Sequence, residues 1–433
     1  MTSPTRAAAL GALVAMAFAG SGCFGGDDGD SGGAAAGGEV VITCEACPTT
    51  APENDPFAQY RKELTDAFND EYAGRYRIEA KPYTPANDAD SAQHYQRAAA
   101  TDTLPDLFTD QATVVRDVAR SGKLVDFAPE LDAGWKDTFQ PDAFLSLTDA
   151  EGHVWGVPEQ RDAVGIFYNE DLFRKAGLDA FPASWDELLA ACSALKSAGV
   201  IPFAMDGDWV TQLMWSNLIG TSPGGPEFLQ AGIAEGDYAA DPAVVAATEY
   251  LKRLHTDGCV NEDAFSGDYN RAAAPFLDGQ AAMIANGPWM VPDIEEAKLD
   301  AGYARSPGDG LIVIPGEAGW ASGARDDAAR EAVTAFMTFM TSDAQMLRKA
   351  LVTGSYWPTT FEPAASRARR LEALSYDLLQ QAETAEFTYP HAKFATPQAF
   401  TDAWMNFWPA YVQDELSTED FLNSLSDAVS RAR

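Results

Sequence analysis

From residue 39 onward, short apolar runs alternate with longer stretches in which apolar residues return every three or four positions. Glu39–Thr43 reads as a strand. Asn54-Asp55-Pro56 opens a helix with a cap residue and a proline in the first turn. Phe57, Tyr60, Leu64 and Phe68 then fall on one helical face, which predicts that this face is buried. Tyr76–Tyr83 is strand-like, and a helix carrying His94 and Tyr95 follows. Next come a short strand at Pro105–Thr109 and a helix over 111–121 ended by Gly122. Residues 153–168 hold two strands around a loop. Ser184-Trp-Asp-Glu187 has the form of a capping box and starts a helix reaching about residue 198.

Further helices are predicted at 208–219, 242–257, 268–278 and 292–300, with strands at Ala281–Asn286 and Leu311–Ile314. The last 110 residues read as mostly helix, over 325–340, 343–351, 366–382, 398–413 and 418–431. Strands alternating with helices predict an α/β architecture, here with a helical C-terminal part. No internal repeat is visible, and no low-complexity segment follows residue 38.

The first residues pattern differently. Residues 7–20 form an apolar run of 14 after a single charge, Arg6. This is short of the roughly 20 residues a membrane-spanning helix needs, and it suits a secretory signal. The run ends in Gly20-Ser21-Gly22-Cys23, which resembles a bacterial lipoprotein signal: residues 1–22 would be removed and Cys23 lipidated. Residues 24–38, with seven glycines, read as a flexible tether of roughly 20 Å mean reach. An exported, lipid-anchored protein at the cell surface or in the periplasm is therefore expected.

Composition narrows the function classes. The chain has 433 residues, 46% of them apolar, and a formal charge of −35, which loss of Arg6 takes to −36. Such a chain repels phosphate backbones and anionic lipid, so no nucleic-acid partner is expected, and the membrane is reached only through the lipid anchor. Besides Cys23 there are four cysteines, Cys44, Cys47, Cys192 and Cys259. An even number in an exported chain suggests disulfides. Three pairings are open, with Cys44–Cys47 and Cys192–Cys259 favoured. Cys44-Glu-Ala-Cys47 after a strand has the outline of a redox motif, but a local staple accounts for it. There is no second CxxC, and the histidines His94, His153, His255 and His391 are scattered, so no metal site is expected. No phosphate-binding GxxxxGK[ST] motif occurs, and no cofactor is implied.

Five stretches, in order, carry a resemblance. They are Pro105-Asp-Leu-Phe with Ser121-Gly-Lys-Leu-Val-Asp; Trp155-Gly-Val-Pro with Gly165-Ile-Phe-Tyr-Asn-Glu-Asp-Leu-Phe; Ser184-Trp-Asp-Glu-Leu; Phe276-Leu-Asp-Gly-Gln-Ala-Ala-Met-Ile-Ala-Asn-Gly-Pro-Trp289; and Ala335-Phe-Met-Thr-Phe-Met-Thr-Ser with Trp357-Pro-Thr. Together they resemble the extracellular solute-binding proteins of bacterial ABC importers, in the sugar-binding group that includes maltose-binding proteins. The resemblance implies a two-lobed, type II periplasmic-binding-protein-like fold with hinge strands. Lobe one would comprise 39–163 and 311–352, and lobe two 164–310 and 353–433. It also implies a monomer that captures a carbohydrate between the lobes and delivers it to permease subunits, with no reaction catalysed.

A sugar presents hydroxyls at its rim and a weakly apolar C–H face, so its site needs carboxylates or amides and flat aromatics. By position within the resemblance, Trp289 is the stacking residue of the Gly-Pro-Trp turn and Asp162 an acidic contact beside the hinge. Asp110 follows the first lobe-one strand. Asp208 and Trp209 lie in a lobe-two loop, with Asp208 open to a second reading as a helix cap. Trp404 lies on a C-terminal helix, and Trp320 and Trp357 lie at the second and third crossings. Glu159 and Arg161 share the loop with Asp162, and Arg161 has the alternative role of holding Asp162 by a charge-assisted hydrogen bond.

Other readings stay open at this level. A non-sugar solute is the main one. A glycosidase would use paired carboxylates, Asp206 with Asp208 or Glu159 with Asp162. Gly220-Thr-Ser222-Pro-Gly224 satisfies the serine-hydrolase pattern, but that motif needs a strand before the serine and a helix after it.

Overall fold

The computed structural model describes residues 38–52, 55–85, 88–149, 151–265, 269–315, 318–360, 373–385 and 387–432. Cys23, the signal segment and nearly all of the tether lie outside them.

Two lobes are built around separate hydrophobic cores. The first begins with β1 (Val40–Cys44), α1 (Pro56–Glu71) and β2 (Tyr76–Ala80), in which β1 and β2 pair in parallel. Asp55 accepts the Ala58 N–H at 2.9 Å, and Pro56 occupies the first turn of α1. Those two features start the helix where the chain must turn back over the strands. Then come α2 (Asp88–Ala100), β3 (Phe108–Gln111), α3 (Ala112–Ala119) and β4 (Val157–Pro158). Tyr60, Leu64 and Phe68 of α1 pack with Phe127, Trp320, Phe336 and Met340. A satellite core joins Tyr95, Phe108, Val115 and Leu147.

The nine-residue β5 (Arg161–Asn169) leads into the second lobe. It is followed by α4 (Trp185–Ser197), β6 (Ile201–Phe203), α5 (Trp209–Gly220), α6 (Pro242–Thr256), α7 (Tyr269–Leu277), β7 (Ala281–Asn286), α8 (Val291–Ala297), β8 (Ala301–Ala304) and β9 (Gly310–Pro315). All twelve residues of α5 are buried, as expected of a helix apolar on every side at the centre of a core. The sheet order is β11 (Phe387–Tyr389), β9, β5, β7, β6, with β8 also paired to β5. Gly165 sits where β8 crosses: a Cβ there would lie 2.5 Å from the Ala304 carbonyl oxygen.

The chain returns through β10 (Ala318–Ala321), which lies between β3 and β4, and continues into α9 (Asp327–Met340) and α10 (Asp343–Thr353). At Gly354, φ is 75° and the helix ends in the left-handed conformation that glycine adopts without strain. The third crossing follows. Its two central residues divide between the cores, with Tyr356 in the second and Trp357 in the first. The C-terminal part is α11 (Ala373–Thr384), β11 (Phe387–Tyr389), α12 (Gln398–Val412) and α13 (Thr418–Ala432), packed on the second core.

Four short strands, β6, β8, β10 and β11, have three or four residues each. They carry no periodicity of their own, and only pairing with neighbouring strands makes them strands. Disulfide bonds join Cys44 to Cys47 and Cys192 to Cys259. The second ties α4 to the segment after α6.

Candidate functional site

Three crossings join the lobes, and a dense polar network lies where they meet. The Lys349 ammonium, fully buried on α10, donates to the Glu159 carbonyl and to Gln160 Oε1, both at 2.9 Å. The Glu159 carboxylate is buried and receives Arg61 at 2.9 Å from α1. Asp162 accepts the Tyr356 N–H at 2.8 Å, and burial pushes its carboxyl up to about 6. Arg161 makes a two-pronged pair with Asp142, 2.9 Å at each contact. It does not hold Asp162, because neighbouring residues on a strand point to opposite faces. Glu159, Arg161 and Asp162 are thus all committed to partners within the protein.

The second lobe presents an aromatic wall. Gly287 and Pro288 turn the chain after β7, so that Trp289 lies half-buried with its ring 6.1 Å from that of Trp209. Trp209 is flanked by His391 at 4.7 Å and Phe394 at 5.4 Å, with the Lys393 ammonium 5.6 Å from its centre. Asp208 pairs with Lys393 at 3.1 Å and accepts Gln212 Nε2 at 2.7 Å. The cap of α5 comes from Asp206 instead, whose Oδ1 accepts the Asp208 and Val210 N–H groups at 3.0 Å each. Asp206 Oδ2 is buried with no hydrogen-bond partner among the described residues. Burial, reinforced by Asp208, pushes the Asp206 carboxyl up to about 7.

Two open spaces lie between elements of the two lobes. The larger, about 560 Å³, has Thr113, Arg116, Asp117, Asp149 and Trp155 on one side and Ala395, Thr396 and Pro397 on the other. The smaller, about 150 Å³, is lined by Arg116, Leu145 and Ser146 from lobe one and by Gln230, His391 and Phe394 from lobe two. Arg116 borders both and bridges the lobes, its Nη2 donating to the Phe394 carbonyl at 3.0 Å. Trp155 is oriented by donating Nε1 to Asp149 Oδ2 at 2.9 Å. The larger volume falls within the range of small-molecule sites.

None of the ten expected contact residues lines either space. Trp209 touches two of the lining residues, His391 and Phe394, and Trp289 touches Trp209. Asp110 stays half-buried on β3, holding Ser91 Oγ and its neighbour's N–H. Trp320, Trp357 and Trp404 are corrected to packing residues. Trp320 is fully buried against Phe336, ring to ring at 5.1 Å. Trp357 is 9% exposed in the first core. Trp404 is fully buried, stacked on Trp408 at 5.0 Å and edge-on to Trp215 at 5.3 Å. The physical reason is common to all three: a crossing or a helix between layers is covered by its neighbours, and their rings find protein faces before they find solvent.

Sequence reasoning missed Arg116, Ser146, Gln230, His391 and Phe394. Trp155 alone stood inside a recognised stretch. Nothing local marks Arg116, because an arginine on a solvated helix face looks the same in sequence. As for Ser222, a helix rather than a strand leads into it, and its hydroxyl donates back to the Leu218 carbonyl at 2.7 Å. Among the described residues no group of acidic, His or Cys side chains has metal-binding geometry, and no helix is long and apolar enough to cross a membrane.

Comparison with known proteins follows the same lines. The multiple sugar-binding protein of Streptococcus mutans is 27% identical over 214 residues, 47% of this chain and 50% of the relative. The sn-glycerol-3-phosphate-binding periplasmic protein of Agrobacterium fabrum is 26% identical over 241 residues, 52% of this chain and 54% of the relative. The chain thus spans about half the length of the curated relatives it matches. A solved chitin oligosaccharide binding protein superposes with a TM-score of 0.74 at 20% identity, covering 91% of this chain and 98% of that one. At that identity the likeness speaks for the two-lobed fold alone. The model of the bacterial extracellular solute-binding protein family matches residues 63–368, well over half the chain, and the protein is a member of that family.

Proposed function

We propose that this protein is an exported, lipid-anchored, non-enzymatic receptor that captures a carbohydrate between its lobes and hands it to the permease of an ABC importer. One observation carries the reading: open volumes of about 560 and 150 Å³ lie between residues of both lobes, with Arg116 bordering each. A solute held there touches both jaws, and only contact that differs between open and closed states shifts the equilibrium toward closure. Periplasmic binding proteins close in this way about a hinge. Relatives named for sugars and for glycerol 3-phosphate support a polyhydroxylated solute.

We assign lobe one to 39–163 and 311–352 and lobe two to 164–310 and 353–433. Support comes from the separate cores, although Leu311 and Ile312 pack in the second core and move that crossing a few residues later. Trp209 and Trp289 are our stacking candidates at the inner wall, and Cys23 our site of lipidation. Absence of catalysis is supported by the fact that Glu159 and Asp208, one member of each posed carboxylate pair, are held by cations.

Isothermal titration against a panel of mono- and oligosaccharides tests the proposal. Micromolar binding, about −8 kcal/mol, with the sugar recovered intact, is expected. Release of shortened sugars, or no heat with any member, overturns it.

A further inference from the structure

The smaller space between the lobes has polar groups among its apolar lining. Among the described residues that line it, Arg116 carries the one formal charge. Its guanidinium donates to a neutral acceptor, the Phe394 carbonyl. The carboxylate beside it in sequence, Asp117, makes its ion pair with Arg120 at 3.6 Å. A desolvated guanidinium is ordinarily matched by a carboxylate, because burying charge without a counter-charge is costly. Here no carboxylate among the described residues lies at ion-pair distance from Arg116, and Asp117 acts on it only from farther off.

A second observation is independent of the first. His391 is fully buried and also lines this space. Its Nδ1 accepts the Lys393 backbone N–H at 3.1 Å, which places the ring proton of the neutral imidazole on Nε2. That Nε2–H is buried and has no partner among the described residues. Burial and the nearby Lys393 ammonium keep this ring neutral, so it stays a donor through its Nε2–H. Ser146 and Gln230 add a hydroxyl and an amide. The lining therefore offers several donors, one of them charged and one unsatisfied, and the volume of about 150 Å³ exceeds what a single water requires.

We infer that the solute carries an acidic group, a carboxylate or a phosphate, which seats in the smaller space against Arg116 and His391 while its hydroxyl-bearing remainder fills the larger space beside Trp155. The two spaces share Arg116 and Ala395, so one molecule reaches both. This rests on the saccharide-receptor reading and narrows it to acidic sugars. Arg116 then has two roles. Between the lobes it holds the Phe394 carbonyl, and in the complex it pairs with the ligand.

The test is calorimetric titration of the full chain with matched solutes: glucuronate and glucose 6-phosphate against glucose, and acidic against neutral disaccharides. The acidic member should bind at least about tenfold tighter, the scale of a charge-assisted hydrogen bond in a desolvated site. Whether glucuronate or the phosphate leads distinguishes the two acids. Arg116→Met should remove the preference for the acidic member over its neutral counterpart, and Arg116→Lys should restore part of it. Should Arg116→Met fail to fold, raising the ionic strength on the wild-type chain replaces it, because only the acidic solute should weaken. Neutral sugars binding as tightly as acidic ones, or an acid preference that survives loss of Arg116, overturns the inference and leaves the saccharide reading standing. Binding of neither kind overturns both.

Discussion

Trp209 and Trp289 stand 6.1 Å apart at 58°, the first opening helix α5 and the second closing the turn after β7. Two indoles from separate elements thus pack together, and Trp209 also touches the rings of His391 and Phe394. Trp209 has little exposed surface left, whereas Trp289 remains half-buried with ring surface to offer.

Trp289→Ala should therefore abolish ligand binding or weaken it by at least about tenfold, a loss near 1.4 kcal/mol. The melting temperature of the empty protein should change little. Titration and a thermal melt on the same variant decide the matter, and unaltered affinity counts against the assigned wall.

Trp404→Ala should behave in the opposite manner. Its ring is enclosed by Trp215, Trp408 and Phe421, so truncation costs about 3–5 kcal/mol of stability through lost burial and an unfilled cavity. Denaturant unfolding would show it, and protein that remains folded should bind as the wild type does.

Lys349→Met probes the crossings. Removing the ammonium strands the Glu159 carbonyl and Gln160 Oε1 in the interior and takes away the positive charge that acts on Glu159 and Asp162. A loss of about 3–5 kcal/mol is expected for breaking such a buried ionic arrangement. A neutral result in urea titrations would show that water reaches the network.

Asp206→Asn gives a pH signature. A carboxyl lifted to about 7 by burial holds its proton in the folded chain after the unfolded chain has released it. Its contribution favours the folded state at low pH and declines as pH climbs through the interval from about 4 to 7. The amide retains an acceptor oxygen for the cap of α5 but cannot ionise. The variant should therefore lose less stability than the wild type between pH 4 and pH 8, as melts at a series of pH values would reveal. Parallel curves for the two proteins would refute this.

Local chemistry was legible wherever local rules decide. The Asp55-Pro56 and Asp241-Pro242 starts form caps at the expected places, with Asp241 accepting the Ala243 N–H at 2.8 Å. At Ser184 the cap forms, but Glu187 reaches back to the Ala183 N–H and not to that of Ser184. Strands β6, β8, β10 and β11 were not legible, because three or four residues show no period and owe their extended form to neighbours far along the chain.

The sequence by itself determined the alternation of strands and helices, their caps, and an ordered set of motifs that leads to the family. Those are properties of residues within a few positions of one another. Only the tertiary structure decided which tryptophans meet solvent, which carboxylates are already spoken for, and that Arg116 and His391 converge on one small space. An indole satisfied by a sugar and one satisfied by another indole obey the same preference for a flat apolar partner. What separates them is the surface that folding brings opposite, and no short stretch of sequence specifies that surface.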